Sequence, residues 1–142
     1  MAYQSYRDLD IYKKAHKLAI EIHEMSLKLP KFELYEEGNQ IRKSSKSVKT
    51  NIVEGFGRRR YKQEFIRFLT YSIASCDETQ DHLDPLYETK SLGDTEQYKY
   101  FCEEYDHLGR MIFNFIKSVD GGHKTGIENR ESRINNGELL QR

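Results

Sequence analysis

Eight cations crowd into a short stretch of this 142-residue chain: Arg42, Lys43, Lys46, Lys49, Arg58, Arg59, Arg60 and Lys62. A basic patch of this kind holds phosphates by charge and by counterion release. On a helix, positions 42, 46 and 49 share a face. Arg58, Arg59 and Arg60 close the segment NIVEGFGRRR, residues 51–60, where one helix is expected to end and the next to begin. Cations at a helix N-terminus oppose its dipole by about 0.3–1 kcal/mol each. A local rule broken this way points to function. Tyr61 and Phe56 stand beside the arginines as candidates for base stacking. Three uses of the cluster stay open: nucleic acid, ion pairing with acidic residues of this subunit or a neighbour, or another anion.

The rest of the chain supplies the acid. Net charge is zero, yet residues 42–67 carry nine Lys/Arg against Glu54 and Glu64, a net of +7. Residues 77–106 carry ten Asp/Glu against Lys90 and Lys99, a net of −8. Such asymmetry is a statement about partners. Catalytic and metal patterns are weak by comparison. Glu104 and His107 form one Glu-x-x-His, where a di-iron bundle needs two. His82 follows Glu78 by four residues, and His16 and His23 read as solvated side chains. There is no P-loop, dinucleotide fingerprint or nucleophile elbow. Cys76 falls in a core stripe and reads as inert. No enzyme activity, cofactor or metal is expected. Two cysteines give no disulfide framework, which suits a reduced cytoplasmic protein. The opening MAYQSYRDLD has no apolar core for a secretory signal, and no run is long enough for a membrane span.

Four apolar stripes must position these residues. Ile11, Ala15, Leu18, Ile22, Met25 and Leu29 mark the first, which Pro30 stops. Ile41, Ser45, Val48, Ile52 and Gly55 mark a second of small residues. Phe65, Leu69, Ser72, Cys76, Thr79, Leu83 and Leu86 mark the third. Tyr98, Phe101, Tyr105, Leu108, Ile112, Phe115 and Val119 mark the fourth. The spacing predicts helices near 7–29, 36–55, 61–91 and 94–119, with a kink at Pro85. Short connections make the fold class all-α, an antiparallel up-and-down four-helix bundle. Residues 1–119 are expected to form the bundle domain and residues 120–142 a flexible C-terminal tail. Phe68, Tyr71, Tyr100, Met111 and Phe113 lie off the stripes. They fit either a widened core or a second face buried between subunits.

The junction has a structural reading as well. Gly55 suits a left-handed residue after the helix end, with Phe56 folding back. Ser44, Ser45 and Ser47 allow close backbone approach. Asn51 and Glu54 can bond orphan donors at the start of the next helix.

Across this region the chain resembles the bacterial four-helix-bundle family first met in large-subunit rRNA intervening sequences. The matching residues are Gln40, Ile41, Arg42, Lys43, Ser45, Ser47, Val48, Asn51, Ile52, Glu54, Gly55, Gly57 and Arg58, then Glu64, Phe65, Arg67, Phe68, Leu69, Ser75 and Glu78. The segment YRDLDIYKKAHKL looks like the family's first helix, and the likeness covers about residues 6–119. It implies a homopentameric ring without established enzyme activity. A related branch, the accessory variability determinant of diversity-generating retroelements, implies partners of two kinds, RNA or DNA and a reverse transcriptase. The chain departs from the pattern at ELYEEGNQ, residues 33–40, and at Arg60 and Tyr61, where a Ser or Thr cap is usual. Together these readings give a non-catalytic, homo-oligomeric module. It engages nucleic acid or a nucleoprotein through the basic patch, or it is a structural scaffold whose patch forms inter-subunit salt bridges.

Overall fold

The computed structural model describes residues 3–126, with 122–126 as helical backbone only. Four helices make up most of it: α1 (Asp10–Leu27), α2 (Glu37–Gly57), α3 (Lys62–Glu88) and α4 (Thr95–Gly126). Short 3-10 turns at Tyr6–Asp8 and Lys31–Tyr35 precede α1 and α2. No strand occurs among the described residues. Each helix packs on its two neighbours around the bundle, and the α2–α3 seam is the most extensive. The fold is the all-α four-helix bundle that the stripes predict. Every stripe residue is buried except Tyr98 and Phe115, which are half-buried.

The helix ends follow local chemistry. Ser5 and Asp8 form a capping box around the first 3-10 turn. Asp94 accepts the Gln97 N–H at 3.1 Å and so caps α4. Pro30 follows α1 and keeps it from continuing. Pro85 falls near the end of α3, which runs only to Glu88, so its missing donor weakens one terminal turn.

The largest difference from expectation is at the C-terminal end. α4 continues to Gly126 instead of stopping at Val119. Asp120, the first residue of the expected tail, is 2% exposed and receives Lys62 Nζ at 3.0 Å. A buried ion pair thus holds the turn that the glycines at 121 and 122 suggest breaking. Residues 127–142, the remainder of that expected tail, lie outside the described residues.

The surplus apolar side chains divide. Met111 and Phe113 pack against the core, which is a widened stripe. Tyr71 and Tyr100 remain exposed, and Phe68 is half-buried.

Candidate nucleic-acid interface

The site is built on the α2–α3 seam, where small residues bring two backbones together. The Thr79 and Ser44 hydroxyls meet at 2.9 Å and those of Ser75 and Ser47 at 3.1 Å. Ser72 Oγ donates to the Val48 carbonyl at 2.6 Å. At the far end of the seam, a Cβ on Gly55 would stand 3.1 Å from Phe68 Cβ and 3.3 Å from the Phe65 carbonyl oxygen. Gly55 therefore serves close approach within a helix. It is not the left-handed cap expected of it, since no described glycine has positive φ and α2 runs on to Gly57. Among the described residues nothing lies within 4 Å of a Cβ placed on Gly57. Asn51 Nδ2 donates back to the Ser47 carbonyl at 3.0 Å, and Glu54 binds Arg58. Neither serves the α3 start, whose N-cap Tyr61 makes no side-chain capping bond. Gln40 begins the exposed stripe of α2.

That exposed stripe runs Gln40, Lys43, Lys46, Thr50, Glu54 and Gly57. Lys43 and Lys46 are exposed and form no hydrogen bond or ion pair among the described residues. Lys49 is half-buried, its Nζ 3.2 Å from His16 Nδ1, and His16 stacks on Tyr12. Arg59 and Arg60 are exposed at the junction.

Two predicted anion ligands are taken by the fold. Arg42 Nη1 donates to Ser26 Oγ at 2.9 Å and its Nη2 to the Leu34 carbonyl at 2.7 Å. It fastens α2 to α1 and to the connector between them. Lys62 is 13% exposed in its side chain and paired with buried Asp120. Phe56, a stacking candidate, is only 5% exposed and packs edge-on against Phe65.

The dipole argument for the arginines is overturned. Arg58 is the C-cap of α2, and its Nη1 donates to the Glu54 carbonyl at 3.2 Å and to Glu54 Oε1 at 2.7 Å. Arg59 Nη1 donates to the Phe56 carbonyl at 2.9 Å. Both guanidiniums thus cap the C-terminus of α2, where positive charge is favourable. Arg58 also lies 3.7 Å from Glu64 and 4.5 Å from the centre of the Phe68 ring. Among the described residues the Arg60 side chain makes no hydrogen bond or ion pair, and its guanidinium lies 5.8 Å from the centre of the Tyr61 ring.

Some of the histidines and acids off the patch act as ties. His82 sits between Glu37 Oε1, at 2.8 Å, and Glu78 Oε2, at 3.4 Å, joining α3 to α2. Lys14 Nζ donates to Glu104 at 2.6 Å, joining α1 to α4. Glu33 is buried at 5% exposure, and accepts the Glu37 N–H at 3.2 Å and the Ser91 hydroxyl at 2.7 Å. It substitutes for the cap that Glu36 fails to give α2. Gly38 must be glycine, because a Cβ there would overlap the Glu33 carbonyl oxygen. Sequence reasoning missed this Glu33–Gly38 lock. A glycine one position inside a helix start was its only trace. Among the described residues no three His, Cys, Asp or Glu side chains gather as a metal site. No helix there is long and apolar enough to cross a membrane.

Residues 7–114 match the family described as 23S rRNA-intervening sequence protein. No curated protein matches the chain. Among solved structures, a protein of unknown function from the S23 ribosomal protein family of Bacteroides thetaiotaomicron VPI-5482 superposes with a TM-score of 0.65. It is 23% identical, and the match covers 75% of this chain and 98% of that one. At that identity the likeness shows the fold alone.

Proposed function

We propose, for a chain that belongs to the 23S rRNA-intervening sequence protein family, a non-catalytic role as a homo-oligomeric module that binds nucleic acid, alone or within a nucleoprotein. Its place of action is the cytoplasm. The observation that carries this reading is the set of available cations. Lys43, Lys46 and Arg60 are exposed and have no carboxylate partner among the described residues. Arg58 neutralises Glu54, the one acid on the exposed stripe of α2. A phosphate backbone supplies the missing counter-charge. Repetition of the patch around a ring of five subunits, the number implied by the family resemblance, multiplies weak single contacts.

A second reading rests on the exposed acids of α3 and α4. Asp81, Glu88, Glu96 and Glu103 are exposed without a cationic partner among the described residues. They complement Lys43 and Lys46 of a neighbouring copy, which would make the protein a scaffold. One experiment separates the two. The triple variant Lys43→Gln, Lys46→Gln, Arg60→Gln is compared with wild type for RNA and DNA binding at several salt concentrations and for mass by light scattering. Nucleic-acid binding predicts weaker affinity, a salt slope lower by about two, and unchanged mass. Loss of mass with binding unchanged establishes the scaffold instead.

A further inference from the structure

The first turns of α3 carry aromatic rings that the core does not use. Tyr61 is 61% exposed and Tyr71 is 43% exposed. Phe68 lies half-buried between them in sequence and meets Tyr71 edge-on, with ring centres 5.4 Å apart. Positions 64, 68 and 71 fall on one helix face, Tyr61 precedes the helix as its extended N-cap, and the rise from Tyr61 to Tyr71 is about 15 Å. Arginines flank these rings. Arg60 lies over Tyr61 at 5.8 Å, and Arg67 over Tyr71 at 5.7 Å and Phe68 at 5.4 Å. The acid on this face, Glu64, is held by Arg67 Nη2 at 3.1 Å and lies near Arg58.

We infer that this face binds single-stranded nucleic acid, with unpaired bases stacking on Tyr61 and Tyr71 while the neighbouring cations hold the phosphates. The inference rests on the nucleic-acid reading above and narrows it to one class of ligand. A duplex keeps its base faces stacked inside the helix, so exposed tyrosines add little to its binding. A single strand offers a π-face at every base, and stacking on aromatic rings tolerates any sequence. Guanidiniums beside the rings add charge for the backbone and cation–π contact. Charge complementarity therefore favours a polynucleotide here over an apolar partner.

The test uses the full chain and fluorescence anisotropy with labelled probes: oligo-uridine RNA, oligo-thymidine DNA, and blunt RNA and DNA duplexes of the same length. The expected result is at least about tenfold tighter binding to the single strands. The double variant Tyr61→Ala, Tyr71→Ala loses about tenfold or more on single strands with an unchanged salt slope. Tyr61→Phe, Tyr71→Phe retains most of the affinity, because the ring and not the hydroxyl stacks. Equal binding to duplex and single strand overturns the inference and leaves the nucleic-acid reading standing. Binding to no probe overturns both. If the alanine pair keeps wild-type affinity but lowers the oligomer's mass, these tyrosines belong to a subunit interface and the inference fails.

Discussion

At the scale of single residues, the decisive question is which cations the fold consumes. Arg42 and Lys62 stand among eight similar cations in the sequence, and both are committed to partners far away in it. Arg42 reaches Ser26 and Leu34, and Lys62 reaches Asp120. The Lys62–Asp120 pair lies almost out of solvent. Removing one member of such a pair leaves a buried charge uncompensated, which costs about 3–5 kcal/mol. Lys62→Ala is therefore expected to lower unfolding free energy in urea by about 3 kcal/mol, while Lys46→Ala stays within about 0.5 kcal/mol of wild type. If Lys62→Ala proves equally silent, the pair is open to water and Lys62 returns to the phosphate-binding set. Residue types and their clustering were legible in the sequence. Their availability was not, because it depends on contacts that only the assembled bundle creates.

At the scale of elements, glycines two positions apart do different work. Gly55 sits where α2 crosses the first turns of α3, and a methyl group there meets Phe68 Cβ and the Phe65 carbonyl. Neither is the free end of a flexible side chain. The helix-propensity gain of about 1 kcal/mol for alanine is opposed by overpacking of about 1–3 kcal/mol. Gly55→Ala is expected to lower the melting temperature. Gly57→Ala, with open space around it and no positive φ, is expected to raise it. A stabilised Gly55→Ala protein would show that the seam yields without strain. The four stripes were legible because burial repeats every three or four residues along each helix. The motif between them was legible as small residues suited to close approach. Its hydroxyl contacts across the seam, Ser44 with Thr79 and Ser47 with Ser75, pair positions that local spacing cannot connect. Helix polarity misled at residues 58–60 for a related reason. A junction belongs to two dipoles of opposite sign, and only the carbonyls reached by Arg58 and Arg59 decide between them.

At the scale of the molecule, the bundle is neutral in sum and divided in sign, and beside the apolar core and two ion pairs, phenols tie α4 to its neighbours. Tyr98 donates to Asp84 on α3 at 2.8 Å, and Tyr100 donates to Glu21 on α1 at 2.7 Å. Tyr105 is fully buried, with a hydroxyl that finds no hydrogen-bond partner among the described residues. Each phenol is pushed above its ordinary value. The hydrogen bond to Asp84 is the main cause for Tyr98, that to Glu21 for Tyr100, and burial for Tyr105. Burial raises the Cys102 thiol in the same sense. In every case the native state holds its proton more tightly than the unfolded chain. Stability from these groups is complete below the unfolded values, about 8.5 for the thiol and about 10 for the phenols. It declines as pH rises from there towards the native values, because the unfolded state then releases protons first. Acid titration of the same groups has no part in this range. The expected melting temperature is therefore level from pH 7 to about pH 8.5 and falls steeply beyond about pH 10. Tyr98→Phe should flatten the alkaline fall, since the variant has one fewer proton to lose on unfolding. A melting temperature that holds steady to pH 11 would mean that these phenols titrate as freely in the bundle as in the unfolded chain. The ties between α4 and the rest would then be weaker than their geometry implies.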